Sequence, residues 1–175
     1  MSDAPSPLTP AAVAPFLRAT LPTLAAEVDA LSAEALAWHP APGEWCVKEV
    51  LGHLIETERR GFAGRIRIIL AAQEPRLESW DQNAVAVARR DCERAGRALL
   101  AELATMREDS VRLIEGLSAA DLVRGGHHPT VGYLRVGDLL NEWIHHDRNH
   151  VRQILANVQA YVWPHMGNAR KFSAA

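Results

Sequence analysis

The sequence predicts an all-α protein, a four-helix bundle, and three features predict it. Apolar residues recur at three- and four-residue spacing in four separate stretches. Strand signals are nearly absent, with no alternating β-branched run and no Asn-Gly or Asp-Gly hairpin turn. The connections between the four stretches are modest, which suits helices packed side by side.

The first helix is expected from about Ala11 to Leu31. Pro15 is tolerable in its first turn, where an N–H would lack a partner in any case, but Pro22 should bend or break it. The stretch "SAEALAWHPAPGEW" then reads as a connection, because Pro40, Pro42 and Gly43 disfavour regular structure. A second helix is expected from about Val47 to Gln73, stopped by Pro75, with an apolar stripe of Val47, Leu51, Leu54, Ile55, Phe62 and Ile69. A third covers about Asn83 to Glu115, with Gly116 as its C-terminal cap and a ragged start in "ESWDQNAVAVARRD". A loop containing "RGGHHPTVG" leads to the fourth, about Val136 to Val158. "AYVWPHMGNARKF" follows as a fifth short helix or a tail.

One internal echo runs through this order. "LSAEAL" precedes "WCVKEVLGHLI" as "LSAADL" precedes "LRVGDLLNEWI", so Val47 matches Val136 and Leu51 matches Leu140. Two halves built alike would give the bundle approximate twofold character; a generic loop-into-helix pattern would look the same. Neither Cys46 nor Arg135 is a favoured N-cap residue, so packing is expected to set the start of each helix.

At 175 residues the chain is read as one domain over 1–175, with a flexible N-terminus to about residue 10 and a C-terminal extension from about 159 to 175. With 19 basic against 21 acidic residues and no basic run, electrostatics give no reason to expect a nucleic-acid or anionic-membrane partner. Cys46 and Cys92 are too few and too isolated for a disulfide framework or a zinc ribbon, and fit a reducing compartment. "MSDAPSPLTPAAVAP" lacks the basic-then-apolar order of a secretion signal, and "IRIILAA" is far short of a bilayer span. A cytoplasmic protein is the expectation.

The chemistry-bearing residues gather in "HHDRNH", residues 145–150. On the fourth helix the apolar stripe is Val136, Leu139, Leu140, Trp143, Ile144, Val151, Ile154, Leu155 and Val158. His146 and His150 lie together along one edge of it, and His145 projects to the opposite, solvated side. A histidine pair at i and i+4 presents two imidazoles one above the other, either as a metal clamp or as a stacked surface pair. "HDRNH" imitates the His-Glu-x-x-His of zinc proteases, but Asp147 is one methylene short. No acidic residue follows His150, position 156 is Ala, and only His165 remains downstream, so a protease is not expected. Asp147 points toward the core, where a carboxylate orients an imidazole or anchors a neighbouring helix. A third ligand is best sought on another helix. His53, in "VLGHLIETE", lies off the stripe of the second helix, on a face shared with Glu49, Glu56 and Arg60. Periodicity alone favours a surface residue over a ligand.

Taken together, "LSAEALAWHPAPGEWCVKEVLGHLIETE" and "VGDLLNEWIHHDRNHVRQI" resemble the DinB-like superfamily of four-helix proteins, related to DNA-damage-inducible proteins and thiol transferases. "PAPGEW" before a Val-Lys-Glu-Val helix opening, "GHLIETE", and the late His-x-x-x-His followed by Gln-Ile carry the resemblance. It implies a metal on three histidines, one from the second helix and two from the fourth: His53, His146 and His150. Asp147 and Gln153 resemble residues that recur around the family's pair and take supporting roles. Cys46 stands where the family commonly has Ser, and "AYVWPHMGNARKF" has no assignable family motif.

A three-histidine site leaves a coordination position open, and imidazole suits zinc, nickel, iron or cobalt. Three expectations follow. The first is a metal-dependent transferase joining a low-molecular-weight thiol, such as bacillithiol, to an electrophile. In it Glu49, Glu56 and Arg60 are the pocket candidates, and Arg60 would meet an anionic substrate. The second is a metal-dependent hydrolase. The third is a non-catalytic stress-response protein that binds a metal or a partner, acting as a homodimer. His127 and His128 are expected in a solvated loop that could reach over a pocket mouth, and His39 packed in its connection. Trp45 and Trp143 are expected in the core.

Overall fold

A computed structural model describes residues 8–173; the expected flexible N-terminus falls largely outside them. The first helix, α1, spans Pro10–Ala30 and starts where the Thr9 side chain accepts the Ala12 N–H at 3.3 Å. Of the expected bend or break at Pro22, the break does not occur: the helix continues through it to Ala30. The turn before that proline is supported from outside. Arg107 Nη1 donates to the Leu17 carbonyl at 2.9 Å, and Arg148 Nη2 donates to that of Phe16 at 3.0 Å. Pro22 has no N–H for the Arg18 carbonyl, and these donors from neighbouring helices hold the two carbonyls just before it.

The internal echo takes structural form. Ser32 caps a short helix, α2 (Ala33–Ala37), and Ser118 caps its counterpart, α7 (Ala119–Leu122). Val47 opens α3 (Val47–Glu56) and Val136 opens α8 (Val136–Val162). The third residue of each long helix reaches back: Glu49 accepts the Cys46 N–H at 2.9 Å and Asp138 that of Arg135 at 3.0 Å. Capping carboxylates, and not packing alone, therefore set both starts.

The expected second helix is interrupted. After α3 comes a π-helical turn, Thr57–Gly61, and then α4, Ala63–Ala71. The third is broken in two: α5 (Gln82–Arg89) ends at Arg90 in the left-handed region, a 3-10 turn covers Asp91–Glu93, and α6 runs Gly96–Glu115. Buried Asp91 organises the break, accepting Arg89 Nε at 2.6 Å and Arg94 Nη1 at 3.1 Å. "RGGHHPTVG" is a β-hairpin, not a loop. Strand β1 (Gly125–His128) pairs antiparallel with β2 (Gly132–Arg135), and Gly132, at φ 79°, closes the tight turn. Beyond α8, which outlasts its expected end by four residues, two 3-10 turns lead to a short helix, α9 (Arg170–Ser173).

Long helices pack as α1 against α6 and α8, and α3 against α6 and α8. The core falls into two apolar clusters. One joins Leu17, Phe62, Val111 and Trp143; the other joins Leu24, Leu51, Leu103 and Ile154. Between them every long helical run contributes to a buried polar layer: Thr20, Glu58, Arg107 with Ser110, and Asp147. Arg107 pairs with Glu58 and, at 2.6 Å, with Asp147, which also accepts the Thr20 hydroxyl at 2.9 Å. This polar layer crosses the bundle beside the histidines. No helix among the described residues is long and apolar enough to cross a membrane.

Candidate functional site

Helix α3 is buried along nearly its whole length, so it has no solvent face for His53 to occupy. His53 is only 6% exposed, which corrects the surface reading. The expectation failed because alternation between wet and dry faces is a property of a surface helix, and α3 is central. From α3, His53 points at α8. Its Nε2 lies 3.0 Å from His146 Nε2, and its ring centroid lies 4.5 Å from that of His150. One ring nitrogen from each of the three falls within 4.8 Å of the others. His145 is exposed and joined to Asn149 at 3.2 Å, away from the group.

The donor set fits a divalent ion. A tetrahedral zinc–nitrogen length of about 2.0–2.1 Å places neighbouring nitrogens about 3.4 Å apart, close to the observed separation. The His150 Nδ1 is engaged by Gln153 Oε1 at 2.8 Å, which leaves Nε2 for a ligand. Burial, and then the His150 charge, lowers the pKa of His53 to about 3. Burial, then His150 and His53, lowers that of His146 to about 2. Burial also lowers His150. All three rings are therefore neutral at physiological pH, the form that offers a lone pair.

Asp147 touches none of these rings. It anchors helices through Arg107 and Thr20, the second of its two expected roles. Gln153, by contrast, touches His150 directly. The other pocket candidates are displaced. Glu49 accepts from the Cys46 backbone and meets His39 Nε2 at 2.9 Å, one turn nearer the start of α3 than His53. Glu56 is enclosed by Arg59, Arg60 and Arg89 at 2.5, 2.6 and 2.8 Å. Arg60 is half-exposed, shares that carboxylate with two other arginines, and is not among the residues that line the cavity beside His146.

A cavity of about 690 Å³ opens against His146. The π-helical turn forms one side through Thr57, Gly61 and Phe62; Phe62 meets the His146 ring edge-on at 5.1 Å. Such turns recur at functional sites because the extra residue redirects side chains. Sequence reasoning missed Arg65, which also lines the cavity. Its Nη2 donates to the Glu78 carbonyl and meets His128 Nε2, both at 2.9 Å, and its guanidinium lies over Trp80 at 5.1 Å. No carboxylate among the described residues pairs with it, and burial lowers its pKa. Asp138 and Glu142 stand elsewhere on the same lining. The hairpin brings His128 into the cavity and leaves His127 exposed, as half of the pocket-mouth reading anticipated. Trp143 is fully buried, and half-buried Trp45 packs on His53 at 5.0 Å.

The cysteines are not isolated: Cys46 Sγ and Cys92 Sγ lie 2.8 Å apart. Burial raises both thiol pKa values.

The sequence matches the DinB superfamily over residues 17–154. No curated protein matches it. Among solved structures it is similar to YfiT from Bacillus subtilis, described as a probable metal-dependent hydrolase with an unusual four-helix bundle topology. The TM-score is 0.81 at 19% identity, over 91% of each chain. At that identity the likeness shows the fold alone.

Proposed function

The chain belongs to the DinB superfamily, and we propose that it is a divalent-metal-dependent enzyme transferring a low-molecular-weight thiol of the bacillithiol type to an electrophile. The observation that carries this reading is the convergence of His53, His146 and His150 at the edge of a cavity that His146 itself lines. These three residues would hold zinc, nickel or iron. An ion there lowers the pKa of a thiol or water that reaches it.

The chain's own groups account for substrate binding. Arg65, without a carboxylate partner among the described residues, would take an anionic group of the thiol in charge-assisted hydrogen bonds. His128 fixes the guanidinium from one side and Trp80 from its face. Phe62 and Leu139 provide apolar wall for the electrophile and exclude water from the approach to His146. Protein loaded with zinc or nickel should conjugate a small thiol to monochlorobimane, and chelation should stop it. No conjugation with any anionic thiol would overturn the transferase reading.

A second reading, a hydrolase, is favoured by Glu142. It lines the cavity four residues before His146 on α8, on the same helix face, where a carboxylate could accept a proton from water. The description of YfiT as a probable hydrolase supports the same chemistry. Turnover of small esters or amides, lost with chelator and in Glu142→Gln, would select it over transfer.

A further inference from the structure

We propose that His39, Cys46, Glu49 and Cys92 form a second metal site, a zinc clamp separate from the three histidines. One donor atom from each lies within 4.8 Å of all the others. Three chain segments supply them: the connection after α2, the first turn of α3, and the 3-10 turn between α5 and α6. The separations are 2.8 Å between the two sulfurs, 2.9 Å from His39 Nε2 to Glu49 Oε2, and 3.9 Å from Cys92 Sγ to His39 Nε2.

Two thiols, an imidazole and a carboxylate are a complete tetrahedral donor set for zinc. Thiolate donors select zinc over magnesium or calcium, which prefer oxygen alone. With zinc–sulfur lengths of about 2.3 Å the two sulfurs must open to about 3.8 Å. The residues able to move that far are on the outer side. Cys46 is fully buried at the head of α3, whereas Cys92 sits half-buried in a short turn and His39 is exposed. Binding displaces one proton from each thiol into solvent.

The clamp would act on α3. Glu49 stands one helical turn before His53, and Trp45, next to Cys46, packs on the His53 ring. Lys48 Nζ already donates to the Cys92 carbonyl at 3.0 Å, drawing the same turn onto the same helix. A zinc ion there would tie the α5–α6 break to the helix that presents His53. The inference stands independently of the proposed activity.

Cobalt separates the two sites, because only thiolate ligands give sulfur-to-cobalt charge-transfer absorption in the near ultraviolet. Co²⁺ is titrated into reduced, metal-free, full-length protein, and Zn²⁺ is then added. The expected result is a charge-transfer band in wild type and in His146→Ala that zinc bleaches and that Cys92→Ser lacks. His39→Ala, at an exposed position, keeps the fold and weakens zinc binding at this site by at least about tenfold, the smallest loss seen even for outer-shell partners. Absence of the band in reduced wild type would overturn the proposal. So would a Cys46–Cys92 disulfide that forms in air while stoichiometric zinc is present, since the pair would then be a redox couple.

Discussion

The Nε2 atoms of His53 and His146 face each other at 3.0 Å across a sequence separation of 93 residues. Without a cation one of them must carry a proton for the other; with a cation both lone pairs have a partner. Alanine at residue 53, 146 or 150 should therefore abolish stoichiometric zinc or nickel at this site, while His145→Ala retains it. Gln153→Ala should retain the ion with about 10–100-fold lower affinity, because it removes the partner that orients His150. Elemental analysis and calorimetric titration of untagged protein check both, in a Cys92→Ser background that breaks the second donor set.

Acid should destabilise the metal-free protein through the same rings. Their folded pKa values, about 3 for His53 and about 2 for His146, lie below the ordinary 6.5. Between about 6.5 and about 3 the unfolded chain binds protons that the folded chain refuses, so stability falls as pH falls. The slope is on the order of 1 kcal/mol per pH unit for each ring. Above about 6.5 both states carry neutral rings and this contribution is flat. Urea unfolding at several pH values should show this, with a shallower dependence in His53→Gln. An unchanged midpoint from neutral pH to about 5 would contradict it.

Arg107 and Asp147 hold the polar layer. Both are buried, and Arg107 also serves Glu58 and the Leu17 carbonyl that precedes Pro22. Asp147→Ala leaves a buried guanidinium short of one charge partner. The expected loss is about 3–5 kcal/mol, larger than for exposed Arg112→Ala, whose ion pair with Asp109 sits in water. Denaturant midpoints at constant slope measure the difference.

If Arg65 binds the anionic end of a substrate, Arg65→Ala should raise KM for a charged thiol by about ten- to a hundredfold, equivalent to one charge-assisted hydrogen bond. For an uncharged thiol KM should be nearly unchanged, and kcat little affected for either. Arg60→Ala, outside the cavity and paired with Glu56, should leave both constants as they are.

What could be read from the chain depended on whether periodicity or long-range contact carried the information. The α8 stripe put His146 and His150 on one edge because α8 has a wet and a dry side. Leu155, 40% exposed, and buried Asn157, which donates to the Trp45 carbonyl at 2.9 Å, are its departures. For α3, buried all round, the same method placed His53 with Glu49, Glu56 and Arg60, and the resemblance to the DinB-like superfamily was needed to couple it with α8. The hairpin escaped because its strands are four residues each and "GGHH" has no β-branched residue; Gly132 was the available signal. Arg65 and the Cys46–Cys92 contact escaped because their partners come from distant segments: residues 78 and 128 for Arg65, and a separation of 46 positions for the sulfurs.

Gly52 decides how the α5–α6 break docks on α3. A Cβ added there would lie 1.8 Å from Asp91 Oδ2 and 2.6 Å from Asp91 Cγ. The carboxylate cannot swing away cheaply, since it is buried and held by Arg89 and Arg94. Gly52→Ala must therefore push the 91–93 turn off the helix or strip Asp91 of its partners, at a cost of about 1–3 kcal/mol. Because Cys92 follows Asp91, the same displacement should weaken the sulfur-to-cobalt band while leaving the histidine site able to bind. Asp91→Ala removes the obstacle, so Gly52→Ala should cost less in that background than in wild type. Equal costs in the two backgrounds, measured as a double-mutant cycle, would show that the glycine is not there to admit Asp91.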